Sequence, residues 1–461
     1  MADGPYSLAA VLEVAKIHPF YNSDIKYPPG PEAIQAALQR AATESPGINF
    51  DSQPLLRKED LYKIIERLTF DTCAQNGYRR SSYISTTGGG SGGFPMMFAT
   101  DSKENRQQRA AFGAFIAACG LVEPEDWVLS THTSGYLYRS LDLMSEILEN
   151  AGASVLCAGS RMPPAEVVGA LAQYHANVLT GDSSQIIQIV DYIARLPESQ
   201  RQQISLNKVI YTSEPLTESQ RSHVFANLGP VGIYSILGSA EAGPYAISNQ
   251  KLTGAHTPPG TTDFVFDTRA VLIEISHPSV LDGDSSVPRP VPDGEQGIVV
   301  QTSLQRLRNP LVRYITGDIG SLHPMPAAAG SIIPEAELQH FRVLRLVGRD
   351  PRFSFKWFGE YFEFRNIVAL MQTVEFGILQ WQVVLGHLGS SPQPTLEIRI
   401  FRAAAGERLL AEDALVERLE KFFYVFPENR HLFRITFLDS LAGFEKSSTG
   451  NKVMKFVDKT H

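Results

Sequence analysis

At 461 residues the chain is too long for one ordinary hydrophobic core and implies two or more lobes, while its apolar and charged fractions, 43% and 20%, are those of a globular enzyme. A formal net charge of −8, with no basic cluster interleaved with aromatics, excludes nucleic acid as the expected partner. No apolar run reaches the length of a membrane span, Met1-Ala2-Asp3-Gly4 is no signal peptide, Lys459-Thr460-His461 is no peroxisomal tripeptide, and Cys73, Cys119 and Cys157 form no CxxC pair or zinc spacing, so a cytoplasmic protein with no membrane partner is expected.

Residues 1–80 read as mostly helical, broken by Tyr27-Pro28-Pro29-Gly30-Pro31, with a helix expected over 58–68. No chemistry is read there; the expected role is to cover a sheet and shape a pocket. The next stretch is Ser85-Thr86-Thr87-Gly88-Gly89-Gly90-Ser91-Gly92-Gly93-Phe94-Pro95. So dense a glycine run is not a helix or strand interior, because glycine loses the most backbone freedom on ordering. It suits a backbone that curls round phosphate oxygens, with Ser and Thr hydroxyls as further donors. A flexible linker is the alternative, disfavoured by strand-like flanks at 82–85 and 96–100. Gly88, Gly90 and Gly93 satisfy G-x-G-x-x-G, but a dinucleotide loop runs straight into a helix, and here Phe94-Pro95 and an apolar run follow. The Gly-Lys-Ser/Thr of a P-loop is also missing. A strand–glycine loop–strand hairpin remains.

Asp101-Ser102-Lys103-Glu104 resembles a capping box and opens a helix. Strands then alternate with helices: Trp127-Val128-Leu129, helix 139–149, Ser154–Cys157, helix 164–175, Val178-Leu179-Thr180, helix 183–195, Lys208–Tyr211, helix 217–227. Repeated βα units predict a mostly parallel sheet with helices on both faces and ligands at the strands' carboxyl ends. Three polar segments lie at such ends. One holds His132 and Tyr136, candidates for an acyl pocket with Tyr234, though a loop histidine is more often merely hydrogen-bonded. One is Ser213-Glu214-Pro215-Leu216-Thr217, in which Thr217 can cap the next helix. The third, Gly238-Ser239-Ala240-Glu241, follows a strand at 233–236 and sets a carboxylate among small residues, where it can approach a phosphate-bound Mg²⁺.

Residues 261–320 change to short strands and turns, read as a small antiparallel barrel or sheet, with Thr316-Gly317-Asp318 at a strand end. Residues 321–340 read as a mobile Pro/Ala/Gly-rich loop, and a strand is expected over 341–347. A boundary falls at Gly348-Arg349, and a smaller α+β domain follows, with a strand over 395–401, a charged helix over 411–422 and a strand over 432–438. Near the end, Lys446-Ser447-Ser448-Thr449-Gly450-Asn451-Lys452 presents a lysine on a Ser/Gly loop.

In this order the segments resemble the adenylate-forming superfamily, and within it the phenylacetate–CoA ligase-like branch, from about residue 80 to 458. The glycine loop is similar to the superfamily's first core motif. Ser213-Glu214-Pro215 with Thr217 looks like Ala-Glu-Pro-Trp-Thr, Gly238–Glu241 like Tyr-Gly-x-x-Glu, and Pro310–Asp318 like Pro-x-x-Arg-Tyr-x-Thr-Gly-Asp. Gly348-Arg349 matches a hinge motif and Lys452–Asp458 the terminal Lys-x-x-Arg-x-x-Asp pattern. The resemblance implies an α/β lobe over 1–347, with a helical start (1–80), an α/β core (81–260) and a β subdomain (261–347), a hinge at 348–352, and a mobile domain over 353–461.

It also implies ATP, Mg²⁺ and CoA as cofactors. A carboxylic acid, aryl or small acyl, attacks Mg·ATP to give an acyl-adenylate and pyrophosphate, and a thiol then displaces AMP. Glu241 is the expected metal ligand, and Lys452 the adenylation lysine. Ser85–Gly93, Ser213–Pro215, Gly238–Ala240, Asp318 and Arg349 are the expected nucleotide contacts, with Asp318 on the ribose. A homodimer is compatible with these readings. Ser91-Gly92 stand where consecutive threonines are usual, Leu237 where an adenine-stacking tyrosine is usual, and Asn451 adds a residue that could present Lys455 instead of Lys452. The alternatives are an adenylating enzyme that uses an amine, hydroxyl or carrier protein, and a weakened nucleotide-binding homologue.

Overall fold

In the computed structural model, residues 6–43, 50, 53–86, 96–135, 137–212, 215–254, 258, 260–281, 290–349, 354–358, 360–387, 394–403, 409–447 and 452–460 are described. They fall into two units. The first is drawn from Met1–Asp126, Ser134–Val155 and Tyr234–Asp350, the second from Trp127–Thr133, Leu156–Ile233 and Pro351–His461.

The first unit contains the hairpin expected around the glycine run. Ser82–Thr86 pairs antiparallel with Met97–Asp101, Thr86 opposite Met97, and the loop itself lies outside the described residues. Asp101 then caps helix Ser102–Ala118 through Lys103 N and Glu104 N. The expected capping box is only half made, because the Glu104 carboxylate accepts from Leu307 N and Arg308 N instead. Gly113 lets this helix approach helix Ser140–Asn150 closely: a Cβ there would stand 2.6 Å from Asn150 Cβ.

Antiparallel strands follow in the spatial order Val271–Ser276, Gly297–Ser303, Tyr314–Pro324, Phe341–Arg349, Thr262–Asp267, Gly243–Ser248 and Gly232–Ser239. The region read as a β subdomain is thus one run with the strand that leads into Gly238–Glu241. Helix Lys58–Phe70, as expected, covers it: Leu61, Ile65 and Leu68 share one face and pack with Phe98, Phe264, Phe266 and Leu344. Each such burial is worth roughly 1.5–3 kcal/mol.

Three expectations shift. The strand at 233–236 extends through Ser239, and its partner Gly243–Ser248 was not foreseen. Residues 321–340 are not a free loop: the Tyr314–Pro324 strand continues into them, helical turns follow at Ala327–Ser331 and Glu335–Leu338, and Ala329 and Ile333 are buried. The strand before the hinge motif runs through Gly348 and Arg349, with Arg349 opposite Asp318.

The second unit holds the parallel strands that the βα repeats predict. Trp127–Ser130 pairs with Val178–Asp182, and that with Lys208–Thr212. Helices Pro164–Gln173 and Ser183–Ala194 lie between these strands in the chain, and Glu218–Leu228 follows the last. The last two open with complete capping boxes, Asp182/Gln185 and Thr217/Gln220. In the same unit a mixed sheet orders Phe433–Phe437, Pro394–Arg402, Ile378–His387 and Phe456–Asp458, with helix Glu412–Phe422 giving Leu415 and Leu419 to its core. Leu379, Phe401, Leu441, Phe444 and Val453 belong to another cluster, with Leu171, Ile186, Val190 and Val224. Among the described residues no helix is long and apolar enough to cross a membrane.

Candidate active site

In the first unit the chemistry gathers on Glu241. Strands Gly232–Ser239 and Gly243–Ser248 turn tightly there, and the turn is set by small residues. The Ser239 hydroxyl accepts from Ala242 N–H at 3.0 Å. Gly238 has no room for a side chain, since a Cβ would lie 2.8 Å from Pro244 Cα, and Gly243 takes φ +74°. The turn's carbonyls are tied down as well: Gln108 donates to Ala242 O at 3.0 Å, and the buried Arg306 donates to Glu241 O. Burial alone pulls the Arg306 guanidinium down to about 10.

The Glu241 carboxylate is only 7% exposed. Its Oε1 accepts from Tyr62 Oη at 2.9 Å and from Tyr314 Oη at 3.1 Å, with Lys58 Nζ at 3.9 Å. Tyr62 is itself held, edge-on to Phe98 at 5.4 Å and under the Lys58 ammonium at 5.1 Å. One preoriented carboxylate fits a hard divalent cation that arrives already ligated by phosphate oxygens. Among the described residues no group of three or more His, Cys, Asp or Glu side chains forms an all-protein metal site.

Tyr314 opens the strand that carries Asp318. Between them the Thr316 hydroxyl accepts from Asp318 N–H and donates to Val299 O, each at 3.0 Å, while Gly317 takes φ +80°. The glycine supplies a backbone conformation that L side chains rarely adopt, and the kink fixes a half-buried Asp318 at a bend in the strand. Arg313, one residue before Tyr314, is structural. It is fully buried and grips Glu274 with two hydrogen bonds of 3.1 and 2.9 Å, and it donates to Gln53 O at 2.8 Å.

In the second unit the carboxyl ends of two adjacent parallel strands form a polar shelf. Thr131 donates through N–H and Oγ1 to Thr180 O, at 2.8 and 3.1 Å. His132 is buried, its Nε2 pairing with Thr180 Oγ1 at 3.2 Å. Burial, with a smaller push from the Lys452 ammonium, lowers its pKa to about 3, so the ring is neutral. Gly181 lets the strands meet, since a Cβ there would stand 2.3 Å from Thr131 Oγ1.

The terminal loop closes on itself in the same unit. Lys446 bridges antiparallel to Val453, Ser447 N–H donates to Lys452 O at 2.8 Å, and Lys452 N–H donates to Ser447 Oγ at 3.2 Å. Burial lowers the Lys446 pKa, and Asp182 partly opposes that shift. Lys455 is turned elsewhere: its ammonium donates to Gln380 Oε1 and lies 4.7 Å from the Trp381 ring centre.

Of the residues singled out in the sequence, Thr87, Gly88, Gly89, Gly90, Ser91, Gly92, Gly93, Tyr136, Ser213 and Glu214 lie outside the described residues, as does the Arg349 side chain. Ser85 and Thr86 end the first hairpin strand, with the Thr86 hydroxyl donating to Leu137 O at 2.9 Å. Gly238, Ser239, Ala240 and Glu241 form the turn, Tyr234 is buried on the strand before it, and Pro215 precedes the capped helix Glu218–Leu228. The sequence reading gave no site role to Tyr62, Tyr314, Thr180, Asp182 or Lys446, although Tyr314 is the tyrosine of the Pro310–Asp318 motif. The Gly181-Asp182-Ser183-Ser184-Gln185 run after a strand could have signalled the second shelf position, because it contains a capping box. Nothing local marks Tyr62, on a helix read as mere cover.

No protein-family model matches the chain. Among curated proteins, a phenylacetate–coenzyme A ligase of Thermus thermophilus is 24% identical over 221 residues, which is 46% of this chain and 44% of that protein. The chain thus matches less than half the length of that relative. Among solved structures, a 2-hydroxyisobutyryl-CoA ligase in the postadenylation state with 2-HIB-AMP superposes with a TM-score of 0.64 at 16% identity, over 97% of this chain and 87% of the other. The same ligase with 2-HIB-AMP and CoA in the thioesterification state gives 0.56 at 16% identity, over 98% and 87%. These structural likenesses establish the fold.

Proposed function

We propose, on the premise that the chain is a phenylacetate–CoA ligase-like member of the adenylate-forming superfamily, that it activates a small or aryl carboxylic acid with ATP to an acyl-adenylate and passes the acyl group to a thiol, with CoA as the acceptor. The observation that carries this reading is the hydrogen bond from Tyr314 to Glu241. It joins two of the ordered motifs, Gly238–Glu241 and Pro310–Asp318, in a buried position where the sequence alone leaves them far apart.

The roles follow from charge. Attack at the α-phosphate builds negative charge on the phosphate oxygens, part of which a nucleotide-borne magnesium, held by Glu241, would neutralise. Glu241 offers that ion one buried, preoriented carboxylate. Asp318 accepts the ribose hydroxyls, so that ATP is fixed for in-line attack. The Lys452 ammonium stabilises the meeting of carboxylate and phosphate. The neutral His132 adds no second positive charge beside it. We assign residues 353–461 to a domain that turns about 348–352 between the two half-reactions.

The test is pyrophosphate release across a panel of carboxylic acids, each with and without CoA. Acid-dependent release, with acyl-CoA formed only when CoA is present, is expected. Release without CoA consumption would move the acceptor to an amine, hydroxyl or carrier. AMP binding without release from any acid would refute the ligase reading.

A further inference from the structure

The strand Ile378–His387 is joined to the helices of the parallel region by two glutamines that the reaction scheme above leaves unused. Gln380 is 2% exposed. Its Nε2 donates to Ser184 Oγ at 2.9 Å, in the first turn of helix Ser183–Ala194. Its Oε1 accepts from Trp381 N–H at 3.0 Å and from the Lys455 ammonium. Gln220 makes the second link. Its Oε1 closes the capping box on Thr217 N–H at 2.8 Å, and its Nε2 donates to the backbone oxygen of Leu379. Two consecutive residues of one strand are therefore fastened to the first turns of two helices, those that come next in the chain after strands Val178–Asp182 and Lys208–Thr212.

The same strand carries the Lys452 loop. Gln382, fully buried, donates through Nε2 to Glu445 O at 2.8 Å and Met454 O at 2.7 Å, and accepts from Glu445 N–H at 3.0 Å. A continuous set of buried amides thus runs from the helix starts, through Leu379, Gln380 and Gln382, to the loop that bears Lys452. The surrounding seam is apolar, with Leu379, Phe401 and Val453 against Leu171, Ile186 and Val190. A purely apolar seam would be as stable, because a buried hydrogen bond nets little over well-packed apolar groups. What hydrogen bonds add is fixed register, and partners that water can replace when the seam parts.

We infer that Gln220 and Gln380 are positioning residues that clasp residues 378–460 onto the helix starts and so hold Lys452 in register for adenylation, and that the clasp opens before acyl transfer. This rests on the two-step ligase reading. Neither glutamine touches the reacting atoms; both act through the strand and Gln382.

The test uses the full chain and two variants, Gln380→Ala and Ser184→Ala, the second of which leaves the strand untouched. Four quantities are measured: pyrophosphate release, transfer to CoA from a supplied acyl-adenylate, amide hydrogen exchange over 183–186 and 218–222, and thermal unfolding. Release is expected to slow about tenfold in Gln380→Ala, the scale of losing a buried hydrogen bond, and less in Ser184→Ala. Transfer should stay within about twofold, and exchange should quicken in both variants. Loss of both half-reactions in step with a lowered unfolding temperature would overturn the inference, as would no change in either half-reaction. If none of the acids makes the wild-type protein release pyrophosphate, the functional reading fails on its own. Exchange alone then decides the clasp: faster exchange in both variants supports it as a joint, and unchanged exchange overturns it.

Discussion

The Tyr314 hydroxyl donates to Glu241 Oε1 at 3.1 Å, although 73 residues separate them. With Tyr62 on the same oxygen at 2.9 Å, the carboxylate is held by two phenol hydroxyl donors. Glu241→Gln should raise the Mg²⁺ requirement and slow pyrophosphate release by about 10²-fold or more, the scale of one preorganised electrostatic group. Tyr314→Phe and Tyr62→Phe, which keep the rings, should each cost about tenfold or less. Release unchanged in Glu241→Gln at limiting Mg²⁺ would take the residue out of the site.

Asp318 stands at a kink set by Gly317 and Thr316, so its aim depends on backbone as well as side chain. Asp318→Ala should weaken ATP and AMP binding together by roughly 2–4 kcal/mol, the worth of two charged hydrogen bonds. Gly317→Ala should weaken both by a smaller factor, because alanine at φ +80° is strained by about 1–2 kcal/mol. Calorimetry with AMP on folded variants decides this. Full AMP affinity in Asp318→Ala would refute the ribose assignment.

The two terminal lysines face different surroundings, and so should behave differently. Lys452 acts on the field at buried His132, whereas Lys455 is engaged by Gln380 and the Trp381 ring. Lys452→Ala should slow adenylation by about 10²-fold or more and leave transfer from a supplied acyl-adenylate nearly unchanged. Lys455→Ala should cost only a few-fold. The reverse ranking would move the adenylation role to Lys455.

Acid should destabilise the protein through His18. Phe20 N–H donates to His18 Nδ1 at 3.2 Å, so Nε2 carries the proton and donates to Asn309 Oδ1 at 3.2 Å. Full burial lowers its pKa from 6.5 to about 3. Between those values the unfolded chain binds a proton that the folded chain refuses. The contribution is therefore complete above pH 6.5 and is lost as pH falls toward 3, with a slope of up to about 1.4 kcal/mol per pH unit. His132 adds a term of the same sign. The urea midpoint should drop between pH 7 and 4.5, and His18→Gln should flatten part of that drop. An equal drop in the variant would clear His18 of the role.

The parallel strands were legible because each βα repeat carries its own signal. Val178–Asp182 and Lys208–Thr212 are short apolar runs, each followed by a capped helix, and such marks are local. The turn at Glu241 and the bend at Asp318 left marks in the sequence because small neighbours and a Thr-Gly-Asp run are local too. The residues that hold them did not. Tyr62, on helix Lys58–Phe70, meets Glu241 only through the packing of that helix on the antiparallel strands, and no periodicity in 58–70 distinguishes a core tyrosine from a donor. Arg313 reads as a motif arginine, yet its partner Glu274 was set by strand order. Residues 321–340 read as a loop from their Pro, Ala and Gly content, but burial of Ala329 and Ile333 overrode that composition.

The second unit is stitched from three separate stretches of chain, and its apolar cluster draws Leu129 and Leu171 from the first two and Leu379 and Val453 from the third. A ribosome releases these residues in order. Until Leu379 and then Val453 emerge, the face formed by Ile186, Val190 and Val224 is synthesised without its cover. Closing that cluster is a late event of high contact order, exposed to aggregation and to chaperone capture in the interval. A chain stopped at residue 350 would carry that face uncovered for good, so its yield of soluble protein should fall well below that of the whole chain.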